Sequence, residues 1–97
     1  MDSQSSEAEV EIKNEAGLHM RPAMKFVDIA SGFKSKIKVS NDSTEVDGKS
    51  IMEVCMLVAT VGTRLKIRAQ GPDSAQAVEA LRRLVEEDHF NEPLPKS

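Results

Sequence analysis

The chain has 97 residues, enough for one domain with a single modest core. A net charge of −3 and the lack of any aromatic-plus-basic stripe argue against a nucleic-acid partner, and the absence of Trp and Tyr calls for an aliphatic core with a few Phe and Met. One cysteine excludes an internal disulfide and a cysteine-paired zinc site, and no apolar run approaches the ~20 residues that span a bilayer.

Residues 1–6 are polar, without the basic region and apolar stretch of a signal peptide, and are expected to form a flexible N-terminus of a cytoplasmic domain. The domain itself is expected over residues 7–90. Ala8, Val10 and Ile12 alternate with Glu7, Glu9, Glu11 and Lys13, the period-two pattern of a half-buried strand. Asn14 to Gly17 is turn chemistry. A first helix is expected from about Arg21 to Ser31, with Ala23, Phe26, Val27 and Ala30 on one face and Gly32 as its stop.

Ile37 and Val39 alternate with Lys36, Lys38 and Ser40, and Thr44 and Val46 follow a turn at Asn41-Asp42-Ser43, so this pair reads as a hairpin. Ser50-Ile51-Met52-Glu53 is a capping-box sequence, in which the hydroxyl accepts from the Glu53 amide while that carboxylate reaches back to the cap. A short second helix is expected to about Ala59, with Val54, Leu57 and Val58 facing a sheet. Leu65, Ile67 and Ala69 alternate with Lys66, Arg68 and Gln70, the clearest strand in the chain. Asp73 reads as the N-cap of a last helix whose stripe is Ala77, Val78, Leu81, Leu84 and Val85, with Arg82 and Arg83 outward. Residues 91–97, interrupted by Pro93 and Pro95, read as a flexible C-terminal tail. The order is βαββαβα. Each strand has one polar face, so the helices belong on one side of the sheet and water on the other, an α+β arrangement.

Chemistry concentrates at Gly17-Leu18-His19-Met20-Arg21-Pro22-Ala23. Pro22 suits a first helical turn, since its missing N–H costs nothing there. His19 therefore stands at or just before the helix start, where backbone amides and the positive end of the dipole converge. A lone histidine in a turn is more often a polar cap than a reactive group. Here the helix end disfavours imidazolium, which keeps a nucleophilic nitrogen available near neutral pH, and the amides of Met20 and Arg21 can hold an anion's oxygens. Arg21 is a cation placed against the dipole, and neutralising a phosphoryl group supplies a reason for it. No metal or cofactor is required by this set.

Gly17-Leu-His-Met-Arg-Pro-Ala23, followed about thirty residues later by Gly48-Lys-Ser-Ile-Met52 in a βαββαβα chain, resembles the HPr phosphocarrier family of the bacterial sugar phosphotransferase system. The resemblance covers roughly residues 8–90. It implies an open-faced β-sandwich, a four-stranded antiparallel sheet of order 1-4-2-3 with three helices on one face. It also implies a carrier without turnover of its own, which accepts phosphoryl on Nδ1 of His19 from phosphorylated enzyme I and passes it to enzyme IIA. Arg21 would neutralise the moving charge.

Capping alone suffices to explain Ser50 on first principles. The resemblance implies that it is a regulatory site for an HPr kinase/phosphorylase, where phosphate would place about two negative charges on a docking surface. Glu53, where many relatives have Gly, would repel that phosphate. Ile51, Met52 and Cys55 either fill gaps or stay exposed beside His19, with Met20 and Met24 as neighbours, as an apolar docking patch for unlike partners. Cys55 stands where Met or Leu is more usual and reads as an apolar filler. Met20 departs from the Ala or Thr common at that place. His89 is explained by a cation–dipole position at the last helix end. A second function class is a regulatory binding module, in the nitrogen-related branch or governed by Ser50. Weak, transient contacts suit a relay, so a monomer without membrane insertion is expected.

Overall fold

A computed structural model describes residues 4–15, 17–57 and 59–91. In chain order these form β1 (Ser5–Glu11), α1 (Met20–Ser31), β2 (Lys36–Ser40), β3 (Glu45–Asp47), α2 (Ile51–Cys55), β4 (Arg64–Gln70) and α3 (Ser74–Glu86), followed by a 3₁₀ turn at His89–Asn91. The strands make one antiparallel sheet in the order β1-β4-β2-β3. The helices take one face of it, giving the open-faced sandwich that the alternation implied.

The side-chain period of two fixes the register, because a one-residue slip would turn every apolar residue of a strand to water. Along β4, Leu65, Ile67 and Ala69 are buried while Arg64, Lys66, Arg68 and Gln70 are exposed. On the solvent face Glu7 stands opposite Arg68, Glu9 opposite Lys66 and Glu11 opposite Arg64, so opposite charges meet across the β1–β4 pair. Beneath the sheet, Val10, Ile12, Ile37, Val39, Leu65 and Ile67 meet Ala23, Phe26 and Ala30 of α1, Val54 of α2 and the apolar stripe of α3.

Several boundaries differ from the sequence reading. β1 begins at Ser5, inside the segment expected to be flexible, because Ser5 pairs with Gln70, Ser6 with Ala69, and the Gly71 amide donates to Gln4 O at 2.8 Å. Polar side chains do not prevent backbone pairing. α2 stops at Cys55 rather than near Ala59, since the Met56 and Leu57 amides bond carbonyls three residues back, tightening and ending the helix. Val58 and residues 92–97, to which a packing position and a tail were assigned, lie outside the described residues. α1 ends on Gly32 in a right-handed conformation (φ −78°), so no left-handed glycine is used there. Beyond α3, His89 and Phe90 take positive φ, 49° and 55°, and Phe90 is fully buried, its carbonyl accepting from Lys25 Nζ at 2.6 Å. His89 thus sits past the helix end rather than in the last turn of α3.

Asp73 is also corrected. It occupies the N-cap of α3 but makes no capping bond with its side chain. Its carboxylate instead accepts from Ser35 Oγ at 2.6 Å, from the Lys34 amide at 2.8 Å and from the Ser35 amide at 2.9 Å, tying the α1–β2 connection to the start of α3. The Ser35 hydroxyl, then the Lys34 amide, favour the charged form and lower the pKa from 3.8 to about 2. A folded-state value below the unfolded one means the contact stabilises fully above the unfolded pKa and loses its effect as pH falls from 3.8 toward about 2. Thermal melts of the wild-type and Asp73→Asn proteins should therefore differ most near neutral pH and converge at about pH 2. A gap that stays constant across that window would contradict this contact.

Candidate functional site

His19 is placed by the loop in front of it. Gly17 is buried with φ +75°, and a β-carbon there would lie 2.5 Å from Ala59 O and 2.9 Å from Thr60 Cα. The Asn14 Nδ2 donates to Gly17 O at 2.8 Å while the Gly17 amide returns to Asn14 O at 3.1 Å. The Leu18 amide then donates to Ala59 O at 2.7 Å, and the buried Leu18 side chain joins the core. With this bracing the chain reaches His19 in an extended conformation (φ −98°, ψ −168°) and turns into α1.

His19 is the N-cap of α1 and is exposed. Its carbonyl accepts the first intrahelical bond, from Ala23 N–H at 2.9 Å, but its imidazole makes no capping hydrogen bond. The ring is thus not committed to the helix's own amides. Pro22 carries no N–H, so Met20 and Arg21 supply the amide hydrogens that point out of this helix end. The first turn contains no acidic side chain that would compete with a visiting anion. The Arg21 guanidinium is exposed in the same turn. The structure thus brings His19, Met20 and Arg21 together at one helix start.

α2 lies antiparallel to α1. The Lys49 Nζ bonds Phe33 O just past the end of α1, and Ala59, just past α2, receives Leu18 just before α1. Ser50 caps α2, its Oγ accepting from the Glu53 amide at 3.3 Å. The reciprocal half of the expected capping box goes elsewhere: the Glu53 carboxylate accepts from the Asp47 amide at 3.0 Å, fastening α2 to the end of β3. Of the expected docking residues, Met20, Met24 and Met52 are exposed, whereas Ile51 and Cys55 are half-buried and pack against the core. Met56, the C-cap of α2, is exposed as well. Asn14 escaped sequence reading as anything more than a turn residue, although it is fully buried and holds the loop before His19.

A family model for the PTS HPr component phosphorylation site matches residues 6–87. The chain belongs to the HPr family. Phosphocarrier protein HPr of Neisseria meningitidis is 43% identical over 76 residues, covering 78% of this chain and 85% of that protein. The HPr crystal structure from Thermoanaerobacter tengcongensis superposes with a TM-score of 0.86 at 44% identity, over 92% of this chain and 99% of that one. Phosphocarrier protein NPr of Escherichia coli is 36% identical over 73 residues, 74% of this chain and 81% of that protein. HPr is a phosphocarrier family of the phosphotransferase system.

Gly17→Ala should destabilise the protein by more than about 1 kcal/mol, since it combines left-handed strain with a β-carbon in the Ala59 carbonyl. Gly62→Ala, at φ +90° with nothing within 4 Å, carries the strain alone and should cost less. Urea unfolding of the two variants measures the difference; equal losses would show that the packing of Gly17 on Ala59 contributes nothing.

Proposed function

We propose that this chain is a cytoplasmic, monomeric phosphocarrier that accepts phosphoryl from phosphorylated enzyme I on Nδ1 of His19 and delivers it to an enzyme IIA. The observation that carries the reading is the exposed His19, its imidazole unused for capping, at a helix whose first turn holds no acidic side chain. The Nδ1 lone pair of the imidazole forms the bond to phosphorus as the donor's bond to phosphorus breaks, while the ring's N–H proton sits on Nε2. The amides of Met20 and Arg21 receive the phosphoryl oxygens, and the Arg21 guanidinium offsets charge as the group passes through its transition state. Transfer onward reverses these steps, so the carrier needs no turnover of its own.

A regulatory reading would rest on Ser50, since the NPr relative is itself a phosphocarrier by name. Ser50 Oγ is engaged with the Glu53 amide, and removing such a cap costs about 1 kcal/mol. Phosphate on Ser50 would face the Glu53 carboxylate three residues on, so an HPr kinase/phosphorylase would work against like charge here.

Incubation with enzyme I and labelled phosphoenolpyruvate should give acid-labile, base-stable label that His19→Ala abolishes, and Arg21→Ala should slow transfer by about 10²-fold. Label that survives His19→Ala, or only ATP-dependent, acid-stable label removed by Ser50→Ala, would replace the carrier reading with the regulatory one.

A further inference from the structure

Among the described residues methionine is absent from the buried core, although that core takes in Val, Ile, Leu, Ala and Phe from every helix and strand. Met20, Met24, Met52 and Met56 are instead 57%, 52%, 76% and 68% exposed. The segregation is spatial as well. Met20 and Met24 stand one turn apart on α1, Met52 and Met56 one turn apart along α2 and its C-cap, and the two helices run antiparallel beside each other. Ile51 and Cys55 lie half-buried on α2 and pack against the core. Met20 is the residue next to His19.

Exposed thioethers are adaptable apolar contacts, and they are also oxidisable. We propose that Met20, Met24, Met52 and Met56 form a peroxide-sensitive modification site whose oxidation stops partner docking while leaving the fold intact. The proposal rests on the carrier reading. A sulfur lone pair attacks one oxygen of a hydroperoxide, the O–O bond breaks, an S=O bond forms, and the departing oxygen leaves as water or alcohol after taking up the proton. Sulfur loses two electrons and the peroxide gains them. Each event turns an apolar contact into a strong dipole that an interface must desolvate, and at Met20 it does so one residue from His19. A thiol-dependent sulfoxide reductase would restore the thioether. Because no core position of the described chain holds methionine, stability has no reason to follow.

The native chain is treated with hydrogen peroxide, oxygen addition is mapped by peptide mass spectrometry, and the product is melted and labelled through enzyme I and phosphoenolpyruvate. Oxygen on the four methionines, an unchanged melting curve and a KM for transfer to the carrier raised by about tenfold support the proposal. A variant with Met20, Met24, Met52 and Met56 all changed to Leu retains Met1 and Cys55, and is compared with itself before and after peroxide. Equal loss in that variant would assign the effect to Met1 or Cys55 and overturn the proposal. So would an unchanged KM after full oxidation of the native chain, or a melting temperature that falls with each oxygen added. A chain that takes no label before peroxide overturns the carrier reading first, a result distinct from each of these.

Discussion

The Leu18 amide meeting the Ala59 carbonyl at 2.7 Å joins the chain just before α1 to the chain just after α2. It can form only because Gly17, at φ +75° and without a β-carbon, lets the chain pass over Ala59 and Thr60. Asn14 holds the approach from the β1 side through paired bonds with Gly17. The consequence is positional: His19 arrives extended, one residue ahead of a helix that begins with Met20, Arg21 and Pro22.

The helix start and the helix pair divide the work. In the proposed carrier, α1 supplies a fixed dipole and amide hydrogens, a preorganised environment that would need no rearrangement for a phosphoryl group on His19. The solvent faces of α1 and α2 carry exposed methionines, soft apolar surface that on the proposed reading would suit brief encounters with partners of unlike shape. The open face of the sheet is different in kind. There Arg68 reaches Glu45 at 3.1 Å and Glu7 at 3.8 Å, and Arg64 reaches Glu9 at 3.7 Å, exposed pairs that contribute little stability but leave a mixed-charge surface.

Much of this was legible in the residues because the signals were periodic or sterically forced. The alternation in β4 and the stripe in α3 follow from burial on one side, and Pro22 marks the start of α1 by geometry alone. The sheet order came from the family likeness, since no pairing of strands is encoded in their alternation. What escaped was contact between distant segments. Asp73 had the right residue type for a cap, yet the Ser35 hydroxyl and two amides offered its carboxylate more than its own helix did. Glu53 similarly chose the Asp47 amide over the one at Ser50. Phe90 carries no periodic signal behind α3, and its burial depends on two left-handed residues that a sequence pattern does not announce. The position of His19 and Arg21 at the start of α1 was readable from Pro22 and residue order, whereas the bracing by Asn14 and Ala59 required the fold.

The central claim is that a phosphoryl group on His19 is held by the first amides of α1. Amide ¹H–¹⁵N spectra recorded before and after phosphorylation test it most directly. The account expects the largest shifts at Met20 and Arg21, in the direction of new hydrogen bonds, with β4 and α3 unchanged. Shifts centred on Ser50 or His89, or spread evenly over the domain with Met20 and Arg21 unmoved, would contradict it.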